Sequence, residues 1–332
     1  MSTILGNPIT LGGGGLELVA NVADGATVTA TLGSKTVTGV SVGGQARLKI
    51  PQEGKWRVSA TKEAQVSFPQ EIDVSVPAAV DFLFPSQELN DTSWTAIKQV
   101  SDANMGANFW SVGDCKEVTM NGKVSDGLTL TNYSAWVYII GFNHNAEREG
   151  NGITFQGFKA TDKGRDVCLV DSGHGSSYES GTWFNMNNSV TNSGGWEASL
   201  MRKNIMPLIK AAFPADLRAV IKPSTIFTTQ GSGNGTCTAT EDDVFLLAEY
   251  EVFGTRTNAS TQEPNYLKQY SYYSAGNSKV KYRHNETSAA ANWWVRSPYS
   301  ENPYLFCYVG TTGSASRNTA NYSFGVSPAF KV

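Results

Sequence analysis

From Leu16 onward the chain alternates apolar and polar positions. In TVTATL at 27–32, Val28, Ala30 and Leu32 share one face while Thr27, Thr29 and Thr31 share the other, the period-two pattern of a half-buried strand. LELVANV at 16–22, ARLKI at 46–50 and WRVSAT at 56–61 read the same way. Turn pairs recur at Asp24-Gly25, Gly43-Gly44 and Glu53-Gly54. Turns about 8–12 residues apart between short strands predict an all-β sandwich over residues 16–84. Residues 1–15, which end in four consecutive glycines, read as a flexible leader.

Beyond Pro85 the period changes. In SWTAIKQVSDANM the apolar residues Trp94, Ile97 and Val100 fall three apart behind a capping Asp91 or Ser93, which predicts a short amphipathic helix. GWEASLMRKNIMPLIKAAF, from Gly195, offers Ser193 as a cap and a broad face of Trp196, Leu200, Ile205, Leu208 and Ile209, with Pro207 expected to kink or divide it. Strands are predicted at 128–142, 243–254, 305–310 and 324–332. Few helices among many strands and irregular loops make residues 86–332 an α+β domain.

The end of the chain concentrates one composition. Between the apolar frames WWVRSP at 293–298 and FGVSPAF at 324–330 lie Tyr299, Ser300, Asn302, Tyr304, Tyr308, Thr311, Ser314, Ser316, Arg317, Asn318, Asn321 and Tyr322. Such residues give a binding surface large amphipathic contact area and adaptable hydrogen bonding. The same residues also make solvated hairpins, and both readings stand at this point. Trp293 and Trp294 are expected in the core, Arg296 to tie the segment through planar hydrogen bonds, and Pro298 to limit its backbone freedom. Alternation along strands sends about half of the tyrosines inward.

Composition narrows the chemistry. A formal charge of −3 offers no basic footprint for nucleic acid, and no apolar run approaches the ~20 residues of a spanning helix. MSTILGNPIT lacks the charged and apolar regions of a secretory signal, so ordinary export is not expected. Cys115, Cys168, Cys237 and Cys307 form no CxxC pair and read as free thiols. His144, His174 and His284 are each isolated in sequence, so neither a metal site nor a cofactor is expected. Asp171, Ser172 and His174 read as a turn rather than a triad, and GSGNGTC at 231–237 as a hairpin tip. Glu263-Pro264-Asn265 is the sugar-binding tripeptide of calcium-dependent lectins, but Asn292-Trp293-Trp294 does not supply their downstream ligands.

The segments ELNDTSWTAIKQVSDANMGANFWSVGD (88–114), GFNHN (141–145), ITFQ (153–156), NSGGWEASLMR (192–202), DVFLLAEYEVFG (243–254), WWVRSPY and FGVSPAF together resemble phage-encoded tail or prophage proteins with a C-type-lectin-like domain. The resemblance covers about residues 86–332. The preceding β-rich segment is similar to the Ig-like module that often comes before this domain. The fold implied is an all-β Ig-like sandwich followed by an α+β C-type-lectin-like domain. The function implied is non-catalytic. It is a virion-associated adhesin, made in the bacterial cytoplasm, whose amino-terminal domain joins other virion proteins while the display binds a host-surface protein or glycan. The alternative is a structural tail or head decoration whose loop makes subunit contacts. Homo-oligomerisation fits either role. In the related variable proteins of diversity-generating retroelements the matching segment is mutated at adenines of Asn-type codons. Most display residues here are reachable that way, and Glu301 is not.

Overall fold

The computed structural model describes residues 16–63, 65–67 and 69–332, so the expected leader lies outside the described residues. Two compact units divide between Pro85 and Ser86.

The first unit is all strand: β1 (Leu16–Asn21), β2 (Thr27–Leu32), β3 (Lys35–Val40), β4 (Gln45–Ile50), β5 (Lys55–Lys62), β6 (Gln65–Val66), β7 (Gln70–Asp73) and β8 (Ala78–Asp81). One sheet runs β4-β1-β8, and the other β3-β2-β5-β6 with β7 also on β5. Pairing is antiparallel except for β1 with β8. The inward positions of both sheets, including Leu18, Val28, Ala30, Leu48, Trp56, Val58 and Phe82, form one apolar cluster, the direct product of the period-two pattern.

The second unit opens with α1 (Trp94–Asp102), where the Ser93 hydroxyl accepts the Ala96 N–H at 3.2 Å, followed by α2 (Gly106–Phe109). The chain continues through β9 (Cys115–Ser125), β10 (Leu128–Phe142), α3 (Ala146–Glu149), β11 (Ile153–Lys159), β12 (Val167–Cys168) and α4 (Gly195–Ala198). A π-helical turn (Met201–Ile205) leads into α5 (Met206–Ala212) and α6 (Ala215–Arg218). Then come β13 (Ser224–Gly231), β14 (Asn234–Asp242), β15 (Val244–Phe245), α7 (Glu249–Phe253) and α8 (Ser271–Ser274). The last strands are β16 (Lys281–Arg283), β17 (Glu286–Ala291), β18 (Trp293–Pro298), β19 (Leu305–Val309), β20 (Ala315–Thr319) and β21 (Ala329–Lys331).

The central sheet has the order β15-β21-β11-β10-β9 and is antiparallel throughout. Its core is aromatic: Phe155 stacks on Phe330 at 5.5 Å, and Trp94 from α1 meets Phe155 edge-on at 5.3 Å. The remaining strands form three smaller sheets, β12-β16-β17, β13-β14 and β18-β19-β20. Among the described residues, no helix is long and apolar enough to cross a membrane.

Two predicted elements are corrected. The helix expected from Gly195 is three pieces: α4 ends at Ser199, whose extended backbone breaks it, and its hydroxyl then accepts the Arg202 N–H as the π-helical turn begins. Left-handed Gly194, not Ser193, precedes α4, and Pro207 sits harmlessly in the first turn of α5. The strand expected over 243–254 pairs only at Val244–Phe245 and then becomes α7. The Glu251 carboxylate reaches back to the Ala248 N–H at 2.8 Å, starting the helix, and left-handed Gly254 ends it.

Candidate functional site

The β18 strand is buried at every residue, so the frame is set by packing. The indole N–H of Trp293 donates to the Lys279 carbonyl at 3.0 Å, and that of Trp294 to the Phe184 carbonyl at 2.9 Å. Arg296, between them and the 299–304 loop, is fully buried. Its guanidinium grips Glu251 in bidentate fashion at 2.6 and 2.7 Å and also donates to the carbonyls of Leu246 and Phe227. Burial opposes that charge, but the charge and hydrogen bonds of Glu251 hold the guanidinium above its ordinary pKa. Next along the strand, the Ser297 hydroxyl accepts the Glu249 N–H and donates to Glu263, both at 2.9 Å. Pro298, also buried, closes the strand.

Residues 299–304 join β18 to β19, and a single side chain pins them. Asn192, fully buried, donates from its amide to the carbonyls of Tyr299, Asn302 and Leu305 at 3.1, 2.9 and 2.8 Å, while its N–H donates to Pro303. Asn258 adds a second clamp, its carbonyl accepting both the N–H and the hydroxyl of Ser300. Asn258 is itself seated on the buried Glu249 carboxylate, which takes the N–H groups of Thr257, Asn258 and Ala259 and the Asn258 amide. The sequence reading did not single out Asn192, Glu249 or Glu251. Asn192 stands inside NSGGWEASLMR, and a polar residue before a double glycine was the available signal.

The expected display is split between two faces of the β18-β19-β20 sheet. Tyr308 pairs with Ser316 and Phe306 with Asn318, so these share a face, whereas Cys307 and Arg317 pair on the other. On the first face Tyr308 packs on Phe324 at 4.8 Å and edge-on to Trp294 at 6.0 Å, and Tyr322 approaches the same Phe324 at 6.1 Å. Ser316, Asn318 and Tyr322 are half-buried there. Asn321 is 6% exposed, its carbonyl taking the Tyr178 N–H. Its place in a binding surface is therefore corrected: it is a structural residue of the frame.

On the other face Arg317 is exposed, its guanidinium 5.1 Å from the centre of the Tyr299 ring and its tip donating to the Asn258 side chain at 3.2 Å. The Tyr299 hydroxyl donates to Glu301 at 2.7 Å, which raises the phenol's pKa. Tyr304 is 52% exposed, one of the few large side chains so open, and the Asn302 side chain accepts its N–H at 2.9 Å. Beside Tyr299 and Ser300 a narrow cleft of about 30 Å³ runs against Gly233 at the β13–β14 hairpin tip and against Ser260. Tyr299, Ser300, Glu301, Asn302, Tyr304 and Arg317 thus form a patch with aromatic area and both signs of charge.

Burial pushes the Cys307 thiol well above its ordinary range. Asp171 is occupied by the Ser323 hydroxyl at 2.6 Å and the Gly173 and Phe184 N–H groups, while His174 closes a turn on it. His284 accepts the Val170 N–H and is held down to about 4 by burial. A separate groove of about 600 Å³ lies between α5 and β14, and its Arg202 and Lys210 are paired with Asp242 and Asp243 at 2.6 and 2.5 Å.

One cluster could hold a metal. The imidazole of His144 and the carboxylates of Glu149 and Glu251, all buried, each offer a ligand atom, and these lie within 4.8 Å of one another. Burial brings His144 down to about 4 and lifts Glu149 to about 7. His144, isolated in sequence, is therefore not isolated in space. Its partners arrive from α3 and α7 with no fixed spacing to reveal them.

Residues 176–332, a little under half of the chain, match the family model of a domain of unknown function, DUF6273. No curated protein and no solved structure matches the sequence. The matched span contains Asn192, α7, the frame and the exposed patch, and it begins after His144 and Glu149.

Proposed function

We propose that residues 86–332 are a non-catalytic recognition module of a phage or prophage tail-type adhesin, with a C-type-lectin-like scaffold. In this reading the patch of Tyr299, Ser300, Glu301, Asn302, Tyr304 and Arg317 binds a host-surface protein or glycan. The first unit, of Ig-like type, attaches the molecule to its particle. The observation that carries this reading is the pairing of a fully tied loop backbone with outward, chemically mixed side chains. Asn192 and Asn258 hold the backbone, so ordering it on binding costs little further entropy. Tyr304 and Arg317, of residue types enriched among binding hot spots, are exposed, and Tyr299 is half-buried beside Arg317.

Labelled protein is screened against a panel of intact bacterial cells and a glycan array, alongside a variant carrying Tyr299→Ala, Tyr304→Ala and Arg317→Ala. Saturable binding by the parent and its loss in the folded variant are expected. Unchanged binding by the variant contradicts the assignment of the patch. Loss of self-association alone supports the decoration role instead.

A further inference from the structure

We propose that His144, Glu149 and Glu251 bind a single divalent transition-metal ion, zinc being the best match, in a closed structural site that braces the recognition strand. This inference stands independently of what the patch binds.

The first observation is convergence: three ligand atoms from α7, from α3 and from the residues just before α3 lie within 4.8 Å of one another in a buried place. The second is that polar atoms there lack partners. His144 is 7% and Glu149 4% exposed, and neither the imidazole Nε2 nor the Glu149 Oε2 finds a hydrogen-bond partner. The Tyr270 ring stacks on His144 at 3.6 Å, and its hydroxyl lies beside that of Thr154. Buried polar atoms are almost always satisfied, and two orphans facing one place point to an occupant. The supporting groups are already in position. Asn145 donates to the other oxygen of Glu149 at 2.7 Å, Tyr270 fixes the imidazole plane, and Arg296 and the Ala248 N–H orient Glu251.

Donor chemistry selects the ion. One imidazole nitrogen with two carboxylates, and a hydroxyl or water to complete four, suits zinc, whereas calcium and magnesium favour all-oxygen sets. Arg296 borders the cluster, as does Lys331, which donates to the carbonyls of Glu149 and Gly150 at 2.9 and 3.1 Å. Both are cations, so an ion here is held by its three ligands against their repulsion. A surface cleft of about 340 Å³, lined by Asn145, Arg148 and Tyr266, lies on the outer side of Asn145, whose amide holds Glu149. Because Glu251 also clamps Arg296 of β18, an ion here fixes the strand from which the recognition loop leaves.

Full-length protein purified without chelator is analysed for metals by mass spectrometry, then stripped and titrated with zinc by calorimetry and with cobalt by visible absorption. About one zinc per chain, tetrahedral cobalt bands and a raised melting temperature are expected. Glu149→Gln, which keeps the Asn145 hydrogen bond, and His144→Ala should each weaken zinc binding by at least ~10-fold. Wild-type protein with no bound metal, no cobalt bands and no thermal shift overturns the site and leaves a buried water there. Equal zinc retention by both folded variants also overturns it. Should the variants fail to fold, the wild-type cobalt spectrum decides alone.

Discussion

Arg296 carries a full charge into a fully buried place, and every donor it has is used. Breaking a buried pair strands the remaining charge, so Arg296→Ala is expected to cost about 3–5 kcal/mol in urea unfolding, and Arg296→Lys should recover little because an ammonium cannot reproduce the fork. Glu263 gives a pH test. Burial raises its carboxyl to about 8 from 4.5, only partly offset by the Ser297 hydroxyl and Arg296, and one of its oxygens has no partner. The folded state therefore binds its proton more tightly than the unfolded state does. The associated stability is full below about pH 4.5 and is lost as pH rises through about 8. Glu263→Gln should match the parent near pH 5 and exceed it at pH 9 by on the order of 2–4 kcal/mol in denaturant melts. These roles were hardly legible beforehand. Arg296 invited planar hydrogen bonds, but its partner Glu251 sat in a segment that reads as strand, and Glu263 stood inside a tripeptide suggestive of calcium.

At the scale of elements, the Tyr/Ser/Asn-rich segment after β18 was legible as composition but not as geometry. Counting Tyr, Ser and Asn cannot say which side of a strand each occupies. The register does, sending Tyr308, Ser316 and Asn318 to the Trp294 face and Arg317 to the Tyr299 face. Two tyrosines four residues apart should thus behave differently. Tyr308→Ala removes a ring packed on Trp294 and Phe324 and should lower stability by about 2–3 kcal/mol, while Tyr304→Ala, exposed, should stay within about 0.5 kcal/mol of the parent. Thermal and urea melts of both variants check this. Helices followed the same logic: α1 could be read from its cap and three-residue spacing, whereas the break at Ser199 and the turn from β15 into α7 depend on hydrogen bonds that no periodicity encodes.

Across the whole molecule, alternation and turn spacing in the first unit translate directly into two sheets over one core, because strands such as β2, β4 and β5 each bury a single face. The second unit is harder to read, since its central sheet draws strands from distant segments, with β21 placed between β11 and β15. Each unit has its own core, and a fragment spanning 86–332 is expected to unfold cooperatively by itself, with a single urea transition seen by both fluorescence and circular dichroism. The central claim concerns what the second unit presents outward. The most direct measurement is the affinity of full-length protein for the best-binding cell surface, compared with that of the variant changed to Ala at Tyr299, Tyr304 and Arg317. A loss of at least ~100-fold with the melting temperature unchanged is predicted. A folded variant that binds within ~3-fold of the parent would contradict the account.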